Sequence, residues 1–300
     1  MRVGYNGSVI EAEKAVVGVF DHGFLYGMGL FETFRTYGGH AHRLDRHLRR
    51  LAEGCAALHI RYSPDEAHIR SWLSDVMAAN GLAEAYVRMT VSAGDEGLGL
   101  PVGDYAHPHV WLLVKPLPDT PSSVYEQGRE LRLLRTVRNS PEGDIRLKSL
   151  HYMNNIIAKR ELQRSGASHG AEGLMLTREG RLAEGIVSNL FFVRGGVICT
   201  PALATGILPG ITRELVLELA AQAGFPVEEG LYGWDELLQA EEAWITSSIQ
   251  ELVPIATLTD TEGRSFAVGS GRAGTVHRQL YRMYRADAEA TATSSSKRQS

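Results

Sequence analysis

Residues 115–123, Lys-Pro-Leu-Pro-Asp-Thr-Pro-Ser-Ser, set three prolines in a polar run with no hydrophobic period. Proline locks φ and lacks an N–H, so neither a helix nor a sheet ladder runs through such a stretch. It divides the 300 residues into two parts, each of ordinary domain size. The expected boundaries are 1–116 for a smaller N-terminal α/β domain, 117–124 for the linker, and 125–286 for a larger C-terminal domain carrying Lys148. Residues 287–300 are small and polar and are expected to form a disordered tail.

Periodicity fills in the elements. Asn6-Gly7 is the signature of a tight hairpin turn, and the apolar run 15–20 reads as a strand. Leu44, Leu48, Leu51, Cys55 and Leu58 recur three and four apart, which predicts a helix over 42–58 with Arg46, His47, Arg49 and Arg50 on its polar side. Ser63-Pro64-Asp65-Glu66 supplies an N-cap, a proline at the first helical position and a capping-box glutamate for a helix ending near Asn80-Gly81. Strands over 86–91 and 109–114 make the first part α+β in character. In the second part, strands are expected over 131–137, 173–177, 190–198 (broken at Gly195-Gly196) and 243–246, and helices over 212–223 and 275–285. A further helix follows Lys148, with Leu150, Met153 and Ile157 as its apolar positions.

The net charge of −4 leaves no electrostatic footprint for nucleic acid or an anionic membrane, so a small molecule is the expected partner. Cys55 and Cys199 cannot build a disulfide framework and lack metal-ligand spacing; a reducing cytoplasm fits and no metal is expected. No apolar run approaches the roughly 18 residues of a membrane span, and the first residues lack a secretory h-region.

Lys148 precedes a helical run among polar neighbours, and reads either as a snorkelling surface cation or as a Schiff-base amine. Glycines 23, 27 and 29 mark a loop of unusual backbone angles, without the third glycine of a dinucleotide fingerprint. Three segments suit a phosphate. Gly210-Ile211-Thr212 stands at a helix start, where free N–H groups and the dipole attract an anion. Thr246-Ser247-Ser248 lines up three hydroxyls after a strand, and Arg50 offers a guanidinium fork. Singly, each is the ordinary mark of a cap, a turn or a solvated helix face. Glu184 lies between apolar segments, either as an exposed turn residue or as the partner of a ring nitrogen.

Taken together, Phe20-Asp21-His22-Gly23-Phe24-Leu25-Tyr26-Gly27, Phe31-Glu32-Thr33-Phe34-Arg35, His47-Leu48-Arg49-Arg50-Leu51, Arg146-Leu147-Lys148-Ser149, Ala183-Glu184-Gly185, Ser188-Asn189 and Gly210-Ile211-Thr212-Arg213 resemble the class-IV aminotransferase family, the fold-type IV pyridoxal-phosphate enzymes. The likeness runs in order from Asn6 to Pro254. It implies a two-domain α/β fold like that of D-amino-acid aminotransferase, pyridoxal 5'-phosphate in the interdomain cleft, and a homodimer. By position, it makes Lys148 the Schiff-base lysine, Glu184 the partner of the pyridine nitrogen, Arg50, Ile211, Thr212 and Ser248 phosphate contacts, and Ser247 a further cofactor-binding residue. Tyr152 would neighbour the ring, Ser188 and Asn189 would position Glu184 or the cofactor, Thr33 and Tyr26 are candidate proton donors, and Arg88 and Tyr26 candidate substrate contacts.

Within the family, D-amino-acid enzymes carry a Thr-Arg-Gly phrase whose arginine holds the substrate carboxylate, where this chain has Ser92-Ala93-Gly94. Branched-chain enzymes carry Phe-Glu-Gly where Phe31-Glu32-Thr33 stands. The loop at 20–27, Asn139-Ser140-Pro141-Glu142-Gly143 and the run from Lys148 to Asn155 are most similar to 4-amino-4-deoxychorismate lyases of Gram-positive type. The expected reaction is therefore elimination of pyruvate to give p-aminobenzoate, with branched-chain or D-amino-acid transamination, or mere anion binding, as the alternatives.

Overall fold

A computed structural model, described over residues 1–296 and with side chains to 292, shows a mixed α/β chain with two sheets. Two compact units emerge. One comprises Met1–Pro118, Leu147–His151 and the chain from Asp287 onward; the other comprises Asp119–Arg146 and Tyr152–Ala286.

The first unit holds β1 (Arg2–Tyr5), β2 (Ser8–Glu11), α1 (His22–Tyr26), β3 (Gly29–Tyr37), β4 (His40–Ala41), α2 (Leu44–Ala57), α3 (Glu66–Ala79), β5 (Tyr86–Ser92) and β6 (His109–Lys115), with sheet order β2-β1-β6-β5-β3-β4. Asn6 and Gly7, at φ 45° and 82°, make the expected hairpin turn. Strand alternation turns Leu30 and Phe34 into a core with Leu44, Leu48 and Leu51 of α2 and Trp72 and Val76 of α3. Phe31, Thr33 and Arg35 therefore leave β3 on the opposite face.

Two local expectations fail here. Residues 15–20 form no strand: the amides of Ala15 and Val16 bond locally to Ala12 and Lys14, and Val16, Val17 and Val19 are exposed. An apolar run without a ladder partner has no reason to extend. The cap of α3 is Asp65, not Ser63; its carboxylate accepts from the amides of Ala67 (2.9 Å) and His68 (3.2 Å), so Pro64 precedes the cap. The glycine-rich loop also encloses α1, capped by Asp21 and ended by Gly27 at φ 71°.

The lysine segment groups with the first unit, whereas the sequence places Lys148 in the second part. The Phe31 amide donates to the Lys148 carbonyl at 2.9 Å, the Leu150 amide to the Gly29 carbonyl at 3.0 Å, and Leu147 packs on the first core.

The second unit runs α4 (Val124–Gln127), β7 (Arg129–Leu133), α5 (Met153–Arg164), β8 (Glu172–Leu176), β9 (Leu182–Gly185), β10 (Asn189–Arg194), β11 (Val197–Pro201), α6 (Ile211–Gln222), β12 (Val227–Gly230), α7 (Trp234–Leu237), β13 (Glu242–Ser247), β14 (Glu251–Thr259), β15 (Ser265–Ala267) and the start of α8 (Thr275–Ser296). Its sheet order is β12-β11-β10-β13-β14-β7-β8-β9, with β15 on β14. Phe191, Val193 and Trp244 pack against Leu215, Leu219, Leu280 and Tyr284 of α6 and α8, while Leu190, Phe192 and Ile245 serve a separate core.

On α5 the buried positions are Asn155, Ala158 and Leu162; Met153 is 74% exposed and Ile157 is exposed too, so the apolar stripe read after Lys148 is not the buried face. The expected disordered tail is helical through Ser296. Asp287 takes His42 Nε2 (2.8 Å) and Arg43 Nε (3.0 Å), and Ala288 is fully buried. Alternating alanines favour helix as much as small polar neighbours favour coil. The last part of that expectation, 297–300, lies outside the described residues. No helix among the described residues is long and apolar enough to cross a membrane.

Candidate active site

In the first unit, Lys148 is half-buried and its Nζ lies 4.7 Å from the centre of the Phe31 ring. The Arg88 guanidinium carbon lies 3.6 Å from the same centre. Thr33 pairs in register with Arg88, so hydroxyl and guanidinium leave one face of the sheet. The Tyr26 hydroxyl accepts from the Gly99 amide at 3.1 Å, and the Tyr26 carbonyl accepts from His151 Nε2 at 2.9 Å.

Arg50 is oriented from behind. Glu32 is buried on the core-facing side of β3 and accepts Arg50 Nε at 2.8 Å, Arg50 Nη2 at 2.6 Å and His47 Nδ1 at 2.6 Å. Burial by itself would raise the Glu32 carboxyl, but the Arg50 charge and the bonds from His47 and Arg50 outweigh it and hold it at about 2. Burial pushes His47 below its ordinary value against the pull of Glu32, with Arg50 and Lys148 adding to the fall. His47 is thus a neutral donor, buried rather than on the solvated side expected of it. The bidentate clamp fixes the plane of the guanidinium.

In the second unit, Glu184 is only 5% exposed on β9, which discards the exposed-turn reading. Arg138 Nε donates to Oε1 at 2.9 Å; the Leu208 amide (3.0 Å) and Asn189 Nδ2 (3.3 Å) donate to Oε2. Arg146 Nε stands 3.9 Å from Oε1. Arg138 is itself held by Asn154 Oδ1 at 2.8 Å, and Asn155 Nδ2 donates to the Ile186 carbonyl at 2.5 Å, so the first turn of α5 braces the carboxylate's strand. A carboxylate has about four lone-pair sites. Three donors leave one, enough for a single further N–H.

Two glycines permit this packing: a Cβ on Gly185 would overlap Ser188 Oγ, and one on Gly210 would overlap Asn189 Oδ1. Ser188 Oγ and Thr246 Oγ1 are buried with no hydrogen-bond partner among the described residues. Gly210 is the N-cap of α6 and no side chain caps the helix, leaving first-turn amides at Ile211 and Thr212 for an anion. Thr212 Oγ1 and Ser248 Oγ lie 3.4 Å apart beside that helix start. Ser247 Oγ instead accepts the Gln250 amide at 3.1 Å and serves its turn. Tyr152 is the N-cap residue of α5. Orphaned buried hydroxyls, an uncapped helix start and a carboxylate with one open acceptor site fit a phosphorylated pyridine.

The structure thus groups Lys148, Arg50, Thr33, Arg88 and Tyr26 in one unit, and Glu184, Ser188, Asn189, Ile211, Thr212, Ser247, Ser248 and Tyr152 in the other. Sequence reasoning missed Glu32, His47, Phe31 and Arg138 as participants. His47 precedes Arg50 by three on a helix, a spacing that signals a shared partner; Arg138 carries no such signal. Among the described residues no cluster of His, Cys, Asp and Glu could hold a metal ion.

The family described as "Amino-transferase class IV" matches residues 29–258. Aminodeoxychorismate lyase of Bacillus subtilis (strain 168) is 39% identical over 279 residues, 92% of each chain. The crystal structure of 4-amino-4-deoxychorismate lyase from Pseudomonas aeruginosa superposes with a TM-score of 0.80 at 30% identity, covering 95% of this chain and 98% of that one. The T.th. branched-chain amino acid aminotransferase with pyridoxamine 5'-phosphate superposes at 0.82 with 27% identity, covering 97% of this chain and 94% of that one.

Proposed function

We propose, given that the chain belongs to the amino-transferase class IV family, that it is a 4-amino-4-deoxychorismate lyase, releasing pyruvate and p-aminobenzoate, a folate precursor. The cofactor of the family, and of this chain, is pyridoxal 5'-phosphate. The observation that carries the lyase reading is the likeness to the Bacillus subtilis lyase over nearly the whole of both chains. A second supports it: Ala93, where D-amino-acid enzymes present an arginine to the substrate carboxylate, is an uncharged and fully buried core residue. The likeness to a branched-chain aminotransferase keeps transamination as the alternative.

When bound, the cofactor supplies an electron sink for charge developing on the substrate carbon. Its phosphate would be held by Arg50, the amides of Ile211 and Thr212, and the hydroxyls of Thr212 and Ser248. The open acceptor site of Glu184 would take the ring N–H, and Asn189 steadies that carboxylate. Lys148 Nζ would remove the proton from the amine-bearing ring carbon. The carbon–oxygen bond to the enolpyruvyl group then breaks, its departing oxygen being protonated by Lys148, Thr33 or Tyr26, and aromatisation drives the step forward. Arg88 would hold a substrate carboxylate. In an aminotransferase the same Lys148 amine would move the abstracted proton without expelling a leaving group from the substrate.

A cytoplasmic homodimer goes with this reading. Val16, Val17, Val19, Phe20, Phe24 and Leu100 are exposed large apolar residues of the first unit, and Val17 and Phe24 line one apolar cavity there, a feature of the kind subunit contacts cover. Gel filtration at the dimer mass is the expected result.

The deciding assay feeds the purified protein, loaded with pyridoxal phosphate, chorismate and glutamine through the partner synthase. Production of p-aminobenzoate, lost with the cofactor's absorbance band in Lys148→Ala, is the expected outcome. Transamination of branched-chain substrates with α-ketoglutarate, and no p-aminobenzoate, would reassign the chain to the alternative.

A further inference from the structure

The second unit carries a cleft of about 610 Å³ lined by Arg132, Arg135, Arg160 and Arg164, with Glu161 the only carboxylate in the wall. None of these is among the groups assigned to the cofactor or the reaction. Glu161 feels the charge of Arg135 but makes no hydrogen bond to any of the four guanidiniums. Its Oε1 accepts the Arg135 amide at 2.6 Å, and its Oε2 accepts the Thr136 amide at 2.9 Å and the Thr136 hydroxyl at 2.5 Å. The side chains of Arg160 and Arg164 make no hydrogen bond or ion pair among the described residues. They stand four apart on the exposed side of α5, a like-charge spacing that works against the helix. Arg135 reaches only the Thr261 carbonyl at 3.5 Å, and Arg132 lies 3.6 Å from Glu130, outside the cleft wall, which also accepts the Ser168 amide at 2.7 Å.

Four arginines, from β7, the loop after it and α5, line one concavity in a chain whose net charge is −4. A guanidinium fork matches two oxygens of a phosphate, and four of them exceed what one phosphate can accept. We propose that this cleft binds a small polyanion with at least two phosphate groups. The chain's net charge of −4, with these arginines gathered in a cleft, favours a small molecule over a nucleic acid.

The probe is inorganic pyrophosphate, titrated calorimetrically into the cofactor-loaded full chain at low salt and again with added potassium chloride. Binding that salt weakens, and that the double variant Arg160→Gln/Arg164→Gln weakens roughly tenfold or more, is the expected result. Orthophosphate should bind less tightly than pyrophosphate. Both arginines are exposed, so the variant should keep its far-ultraviolet circular dichroism and its cofactor absorbance; a folded variant is what makes the comparison decisive. Absence of heat with pyrophosphate, or equal affinity in wild type and double variant, overturns the proposal. So does arginine-dependent binding of a duplex oligonucleotide by a chain that ignores pyrophosphate. Because the readout is binding and not turnover, it is independent of whether the chain proves to be a lyase.

Discussion

At the scale of residues, two buried groups tie stability to pH in a defined direction. Glu32, buried with His47 and clamped by the half-buried Arg50, has its carboxyl held at about 2. A carboxyl depressed in the folded state contributes stability that is complete above the ordinary carboxylate range and fades as pH falls toward 2. Replacing it by alanine removes the carboxylate that clamps the half-buried Arg50 guanidinium and receives His47 Nδ1, so Glu32→Ala should cost about 1.5–3 kcal/mol, read as a lower urea midpoint at unchanged slope. His277 behaves on a different pH scale. It is buried against Trp244 and Tyr281, its Nε2 donates to the Leu252 carbonyl at 3.1 Å, and burial drops it from 6.5 to about 4. The unfolded chain takes up the proton near 6.5 while the folded chain refuses it, so this stability is complete above 6.5 and declines as pH falls toward 4. The loss is on the order of 3 kcal/mol at most. Urea midpoints at pH 7 and pH 5 should differ less in His277→Gln than in the wild type; equal slopes in both would remove His277 as the cause.

At the scale of elements, the start of α6 and the turn between β9 and β10 act on the same carboxylate. Gly210 has φ −70°, a conformation alanine adopts without strain, so its intolerance is purely steric: the added Cβ meets Asn189 Oδ1. Gly210→Ala should displace the Asn189 amide from Glu184 and cost about 1–3 kcal/mol as overpacking. In a titration followed by cofactor absorbance it should also weaken pyridoxal phosphate binding; unchanged affinity would sever Asn189 from the cofactor. The physical basis of legibility shows in these same elements. The helix bearing Arg50, the hairpin at Asn6-Gly7 and the start of α6 are readable because local periodicity, turn chemistry and a helix-start glycine dictate them. The cap of α3 escapes a sequence reading because serine and aspartate compete within three positions and only geometry chooses. The buried face of α5 escapes it because, of its three buried positions, Asn155 is polar and Ala158 small, so Leu162 alone carries a strong apolar signal while the larger Met153 and Ile157 lie exposed. Arg138 is invisible for a related reason: its role arises from where the chain returns in space, with nothing in its neighbours to announce it.

At the scale of the whole molecule, the proline-rich stretch marks one real crossing, between Pro118 and Asp119, but the chain changes unit again around Leu147–His151 and at Asp287. Those later crossings leave no local trace, since five residues bearing an apolar-polar mix can lie in either unit until their ladder partners are known. The first unit is consequently built from three separated segments. The Lys148 carbonyl accepts the outward-facing Phe31 amide, and Asp287 holds His42 and Arg43 at the start of α2. A fragment ending at residue 118 retains the sheet order and the leucine-rich core, yet lacks both contributions. It should be less stable than the same elements in the full chain by about 2 kcal/mol or more, the worth of a charge-assisted cluster and a short ladder. Hydrogen exchange separates this from a general loosening. In the full chain the amides of Phe31 and of the β5 residues facing β3 are both bonded. In the fragment, Phe31 alone loses its acceptor, so its exchange should accelerate far more than that of Met89 or Val91, whose partners remain. Equal protection of all three amides in the fragment would mean that the returning lysine segment adds nothing to the first unit.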